Sequence, residues 1–446
     1  METILIKAAQ LILSLSILVV LHEFGHYMFA RLFKTRVEKF YLFFDPWFSL
    51  FKIKKGETEY GVGWLPLGGY VKISGMMDES MDKEAMKLPP QPWEFRSKPA
   101  WQRLLIMLGG VLMNFIFAFI IYVGILYAWG ESYLPTANVK YGIVVDSIGQ
   151  QVGFMNGDKI LNVDNKPVEN FASVMLTVVL DNAKTVQVER NGEKVDVEIS
   201  SSDLALIIKH RKQVISPRLP FEIKVGKVEK GLPAQSAGVL KDDIFVGVDT
   251  MKFAFYDEFT SYLDSKKGQK ISLHLTRDGQ PLTKELTVND EGKIGFHVAF
   301  LNPKVFEYKT IEYGLLESVP AGIKRGIRIA TDYLKQFKLI FSKETEAYKS
   351  LGGFATIGNI FPGSWDWYSF WNMTAFISII LAIMNLLPIP ALDGGHVMFL
   401  MGEIITGRKP GEKFLEYAQI AGMVLLLALV LFANVNDIIK IFNGTF

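Results

Sequence analysis

Apolar residues are segregated along this chain. Apolar runs cover residues 10–21, 104–129, 373–392 and 419–433, while residues 135–315 mix polar and apolar positions as water-soluble proteins do. The first run is interrupted by His22, Glu23 and His26 and resumes at Tyr27, giving a span from about Ile4 to Phe33. The second, LLIMLGGVLMNFIFAFIIYVGILYAW, holds no charged residue. Roughly twenty apolar residues suffice for a helix to cross a bilayer. The pattern therefore predicts about four transmembrane helices: one within 1–34, one over 104–130, a third region over 371–401 and a fourth over 417–440. The first span is followed by ionisable and further apolar residues instead of a small-residue cleavage site, which favours a retained helix over a removed signal peptide.

Between the spans the period changes. Residues 35–103 open with short alternating stretches, VEKFYLFF, SLFKIKK and TEYGVGWLPLGGYVKIS, punctuated by Asp45-Pro46, Gly56 and Gly68-Gly69, which predicts a small sheet or hairpins. GWLPLGGYVK is apolar enough to lie against or dip into the bilayer, and residues 77–99 are polar and proline-rich, as linkers are. Residues 141–200 and 223–290 share one pattern of strand, glycine-rich turn, short helix, Gly/Asp turn, strand and a hairpin tipped by RNG or RDG, so a small domain is duplicated over 135–218 and 219–300. Within 301–370, Tyr313, Leu316, Val319, Ile323, Ile327 and Ile329 predict an amphipathic segment that lies on the membrane or packs on another helix.

Charge orients the spans. Lysine and arginine are frequent over 35–103, and Arg408, Lys409 and Lys413 fall in the 402–416 loop. Such loops stay cytoplasmic. Both termini and the duplicated region are then expected outside the cytoplasmic membrane. The chain has no cysteine, which excludes disulfides, thiolate ligands and a cysteine nucleophile, and a net charge of +2 without a basic stripe sets nucleic acid aside.

The interruption in the first span is HExxH: His22-Glu23-Phe24-Gly25-His26. Residues four apart on a helix stand one above the other, so both imidazoles reach one ion, and the glutamate beside the first can take a proton from water. Burying these three groups in an apolar helix without partners would cost several kcal/mol. A metal answers for all of them at once. Catalytic zinc takes three protein ligands and keeps one open position. Asp393 and His396, in Asn385-Leu-Leu-Pro388-Ile-Pro390-Ala-Leu-Asp393-Gly-Gly-His396, are the candidates for the third. An aspartate at membrane depth needs a partner, and a cation supplies one.

With these motifs in this order the chain resembles the site-2 protease family of intramembrane zinc metalloproteases, and within it the bacterial RseP-type branch. The resemblance runs over nearly the whole chain. It implies a polytopic α-helical membrane protein with about four transmembrane helices, a membrane-associated β-hairpin region and two extracytoplasmic PDZ-like domains. It further implies that His22, His26 and Asp393 bind Zn2+, that Glu23 is the base, and that Asn385, Pro388 and Pro390 lie near the substrate backbone. Gly63 to Lys72 resembles the family's membrane-reentrant β loop, so Gly68, Gly69 and Tyr70 are expected to present the substrate as a strand. The segments from Phe95 to Arg103 and from Gly110 to Phe115 resemble the family's approach to its second core helix. One departure is Gly110-Val111, where the family commonly has Gly-Pro, a change expected to alter the helix locally without touching a ligand.

Ser236-Ala237-Gly238-Val239-Leu240-Lys241-Asp242-Asp243-Ile244 resembles a PDZ signature. Family precedent gives single-pass membrane proteins as substrates, such as anti-sigma factors and remnant signal peptides, cut after a first protease has trimmed them. The PDZ-like pair then serves as a peptide-docking site or a size filter, in a bacterial inner membrane. A noncatalytic PDZ scaffold and a zinc transporter or sensor are the rival readings. Metal analysis separates the first from a protease, and a cleavage assay the second.

Overall fold

The protein is described here by a computed structural model covering residues 2–76, 88–210, 213–302, 304–340 and 352–442. Its described residues form two compact units, one drawn from 1–130, 312–338 and 348–446, the other from 131–311 and 339–347.

In the first unit the long apolar runs are helical, because a helix satisfies its own backbone groups where water is absent. Helix α1 (Glu2–Leu32) carries HExxH in its last third. Strands β1 (Val37–Phe44), β2 (Phe51–Lys55), β3 (Thr58–Val62) and β4 (Leu65–Ile73) follow, in the sheet order β2-β3-β1-β4. β1 pairs with β3 in parallel and with β4 antiparallel, so β4 is an outer strand whose one partner among the described residues is β1. Of the expected 77–99 linker, residues 77–87 lie outside the described residues. Phe95 beyond them is buried with Ala30, Val37 and Ile106, so that end of the segment is packed core.

Helix α2 (Ala100–Trp129) crosses α1 at a point of backbone contact: a Cβ on Gly25 would stand 2.2 Å from the Gly109 carbonyl oxygen. Only glycine permits that approach, the usual device for joining helices in lipid. It turns the HExxH face onto α2.

In the second unit, β5 (Glu131–Tyr133) pairs with a strand near its far end, and two repeats lie between. The first contains β6 (Ile143–Val145), α3 (Ser147–Val152), β7 (Lys159–Val163), α4 (Val174–Leu180), the hairpin β8 (Thr185–Arg190) and β9 (Glu193–Glu198), α5 (Ser201–His210) and β10 (Ile215–Pro217). The second contains β11 (Ile223–Val228), α6 (Pro233–Ser236), β12 (Ile244–Val248), α7 (Tyr256–Ser265), the hairpin β13 (Lys270–Arg277) and β14 (Gln280–Thr287), and β15 (Phe296–Phe300). β16 (Lys309–Ile311) closes the unit on β5.

A matching bracket marks the duplication. Arg190 donates through Nε and Nη2 to Asp158 at 2.8 Å each, and Nη2 also reaches the Gly153 carbonyl. Arg277 does the same to Asp243, at 2.6 and 2.8 Å, and to the Gly238 carbonyl. Both aspartates are 1% exposed. Burial alone would raise the Asp243 carboxyl, yet Arg277 and the Leu240 N–H hold it below the usual carboxylate range.

The repeats differ in the connection that follows each hairpin. In the second it is short, and a groove of about 710 Å³ lies between α7 and residues 291–296. In the first it contains α5, whose Leu204 and Ile207 are buried in the repeat's own core. Helices α4 and α7, which alternation did not predict, fill the space between strand and hairpin in each copy.

In the first unit, α8 (Leu315–Ile340) sets its glycine face on α2, with Gly322 against Val123 and Gly326 against Phe119. Ile329 packs inward, whereas Leu316, Val319, Ile323 and Ile327 remain exposed. The expected packing on another helix thus holds for the glycine face. Tyr313 precedes the helix, and residues 341–351 lie outside the described residues.

Then come α9 (Phe354–Asn359), α10 (Trp367–Asn385), α11 (Asp393–Thr406) and α12 (Glu412–Phe442). The third apolar region is therefore two helices with a break over residues 386–392. Among the described residues, α1, α2, α10 and α12 are the four helices long and apolar enough to cross a membrane.

Candidate metal centre

His22 and His26 leave α1 on one face, one turn apart, with ring centroids 4.9 Å apart. His26 is buried, and its Nδ1 lies 2.8 Å from the Ile106 carbonyl on α2. That bond fixes Nδ1 as the protonated nitrogen and leaves Nε2 free to bind a metal. Asn114 Nδ2 stands 3.3 Å from His22 Nδ1.

Asp393 is the first residue of α11, and the break before it aims its carboxylate at α1. The break is tight: a Cβ on Gly394 would stand 2.2 Å from the Leu387 carbonyl oxygen, and one on Gly395 2.3 Å from Pro390 Cα. The glycine pair after Asp393 lets the helix start under its own loop.

Three ligand atoms converge as a result. Asp393 Oδ2 is 3.2 Å from His22 Nε2 and 3.4 Å from His26 Nε2, and the two Nε2 atoms are 3.3 Å apart. A tetrahedral zinc with bonds of about 2.0–2.1 Å spaces its ligands about 3.3 Å apart. The triangle has that edge, Asp393 Oδ2 is buried with no hydrogen-bond partner, and the donor set of two imidazoles and one carboxylate suits zinc. His22, His26 and Asp393 are the one such trio among the described residues, and His396 is not part of it.

These side chains open on a cavity of about 880 Å³, also lined by Glu23, Asn385, Gly69, Tyr70 and His396. Glu23 is half-buried beside the ligands and accepts a backbone hydrogen bond from Val71 of β4. Asn385 Nδ2 lies 3.4 Å from His22 Nε2. Among the other expected substrate contacts, Gly69 and Tyr70 face the cavity, but Gly68, Pro388 and Pro390 do not line it. Pro390 instead fills the break, between Gly395 and Gly422.

Gly110, the residue before the Val111 departure, lies directly against the two imidazoles. A Cβ on Gly110 would stand 2.5 Å from His26 Nε2 and from His22 Cε1. Gly110→Ala is expected to push the imidazoles off the shared point. An extra methyl in a packed site costs about 1–3 kcal/mol, so zinc affinity should fall by roughly 5- to 150-fold. Metal titration of the purified variant measures this, and wild-type affinity would mean that α2 shifts to absorb the methyl.

Sequence reasoning gave no role at the site to Ile106, Gly110 or Asn114, all on α2, although Gly110 to Phe115 stood out as a motif. Asn114 carried a signal, as an amide within an uncharged apolar run. A backbone carbonyl such as that of Ile106 carries none.

A model of peptidase family M50 matches residues 10–429. The chain is also similar to a protein described as Protease RseP from Yersinia pestis, 31% identical over 98% of this chain and 99% of the relative. Regulator of sigma E protease from Haemophilus influenzae is 29% identical over 96% and 98%. Regulator of sigma-E protease RseP from Salmonella typhimurium is 28% identical over 98% and 99%.

Proposed function

Because the chain belongs to peptidase family M50 and is an intramembrane zinc metalloprotease, we propose that it hydrolyses peptide bonds within or beside the transmembrane segments of single-pass membrane proteins that another protease has already shortened. The observation that carries this reading is the convergence of Asp393 on His22 and His26, with Glu23 beside them, on α1, a helix apolar enough to cross a membrane.

Bound zinc supplies Lewis acidity, polarising the scissile carbonyl and lowering the pKa of water. Glu23 takes the proton of the attacking water and returns it to the leaving amine. A membrane-spanning helix keeps its carbonyls in backbone hydrogen bonds, so the substrate must be extended before it can react. Among the described residues β4 is the outer strand of its sheet and runs along the cavity at Gly69 to Ile73, where an extended segment adds as a further strand. Asn385, at the end of α10, is placed to hold its backbone.

Topologically, the lysine- and arginine-rich segments over 35–103 and 402–416 are cytoplasmic. The two repeats and both termini then lie outside a bacterial inner membrane. The duplicated Asp–Arg brackets and the groove beside α7 support a PDZ-like reading of the repeats, in which the second docks peptide or the pair excludes bulky external domains. Relatives named as regulators of sigma E favour an anti-sigma factor as substrate, with remnant signal peptides as a second class.

The test uses the purified full chain with one membrane substrate in trimmed and untrimmed forms. The trimmed form is expected to be cut at least about tenfold faster in kcat/KM, and deletion of residues 141–290 should erase that difference. Failure to cut either form sinks the proposed substrate class, and unchanged selectivity after deletion sinks the role given to the repeats.

A further inference from the structure

His26 illustrates what this centre asks of a ligand. An imidazole that gives Nε2 to a metal carries its proton on Nδ1, and ligand histidines hand that N–H to a carbonyl, a carboxylate or water. For His26 the acceptor is the Ile106 carbonyl at 2.8 Å. His22 has the same need.

The group beside His22 Nδ1 is the side-chain amide of Asn114, with Nδ2 at 3.3 Å. Asn114 is 1% exposed, and its Oδ1 is buried without a partner. In that orientation a donor faces a ring nitrogen that must itself donate, while an acceptor is orphaned. A half-turn about Cβ–Cγ exchanges the two ends of an amide with almost no change of shape. It brings Oδ1 to the Nδ1–H, so the buried oxygen gains a donor and the clash of two donors is relieved, while Nδ2 takes the place that Oδ1 held.

The surroundings hold Asn114 in place for this. Ser378 Oγ on α10 donates to the Asn114 backbone carbonyl at 2.8 Å, and Gly110, one turn earlier on α2, leaves room for both imidazoles. We propose that Asn114 is the positioning residue of His22: its side-chain carbonyl accepts the Nδ1–H, fixes the tautomer and turns Nε2 toward the metal. The assignment rests on His22 being a zinc ligand. The two ligand histidines of α1 are then both oriented by carbonyls of α2, one from the backbone and one from a side chain.

The test is zinc affinity of the full-length chain in detergent, by chelator competition and metal analysis, for wild type, Asn114→Leu, Asn114→Asp and His22→Ala. Leu keeps the shape without an acceptor, and Asp keeps the acceptor. N114L should bind zinc about 10- to 100-fold more weakly, and N114D should stay within about threefold of wild type. A packing role predicts the reverse order, because Leu preserves the buried volume and Asp adds a buried charge. Wild-type affinity in N114L, or an N114D loss as large as that of N114L, overturns the proposal. N114D decides alone if N114L does not fold. Should H22A keep wild-type zinc, the ligand role of His22 itself fails; should H22A lose zinc while N114L keeps it, only the assignment of Asn114 fails.

Discussion

Glu23→Gln is expected to keep one zinc per chain and to lose proteolysis, with kcat lowered by about 10²- to 10⁴-fold. The separation follows from geometry. Glu23 lies next to His22 on α1 and lines the cavity, but it is not one of the three groups whose ligand atoms converge. Glutamine has the same shape, and its Oε1 can still accept the Val71 N–H that the carboxylate accepts. It cannot take a proton from water at working pH. The variant should therefore bind substrate and metal as wild type does and fail at the proton transfer, so the loss falls on kcat and leaves KM nearly unchanged. Parallel zinc analysis and a cleavage time course with a short transmembrane substrate measure both quantities. Activity within tenfold of wild type would remove Glu23 from the role of base, whatever the zinc content.

How much of this was readable beforehand depends on whether a feature is local. HExxH needs only helical spacing, so His22, Glu23 and His26 announced themselves within five residues. The second motif was visible as an interruption of an apolar run, which placed Asp393 and His396 as candidates; geometry separates them, because Asp393 starts α11 directly after the break while His396 lies almost one turn further along. Within α2, by contrast, hydropathy states that the helix crosses the membrane and says nothing about which face meets α1. The contact is set by Gly25 meeting Gly109, and from it follow the Ile106 carbonyl, the space at Gly110 and the amide of Asn114.

The sheet shows the same limit. Alternation predicted strands over 37–76, but the order β2-β3-β1-β4, with its parallel β1–β3 pair, depends on contacts between strands that are not neighbours in sequence. That order is what leaves β4 at the edge beside the converging side chains of His22, His26 and Asp393. Helix α4, VMLTVVL, is rich in β-branched residues that favour strands. Its burial against the first repeat's core overrides that preference. The strand, turn, helix and hairpin pattern common to the two segments was legible, whereas helix α5 occupies a connection with no counterpart in that pattern.

Asp393→Asn should abolish both zinc binding and proteolysis, while His396→Ala should leave zinc in place. Asp393 supplies the one oxygen and the one negative charge of the trio, at 3.2 and 3.4 Å from the two imidazole nitrogens. Asparagine keeps the size and offers a carbonyl, yet it brings no charge to offset a divalent ion in a low-dielectric interior. Removing even an outer-sphere partner typically weakens a metal site by 10- to 100-fold, so exchanging a direct ligand should cost more than about 100-fold. His396 lines the same cavity but contributes no atom to the converging triangle. The pair of variants also discriminates against collapse of the break: Asp393→Asn leaves Gly394, Gly395 and the loop over 386–392 intact, so the metal-free protein should unfold at a temperature close to that of metal-free wild type. Zinc lost with H396A and retained with D393N would move the third ligand to His396 and require α11 to turn by about 60°, since three residues on an α-helix span 300°.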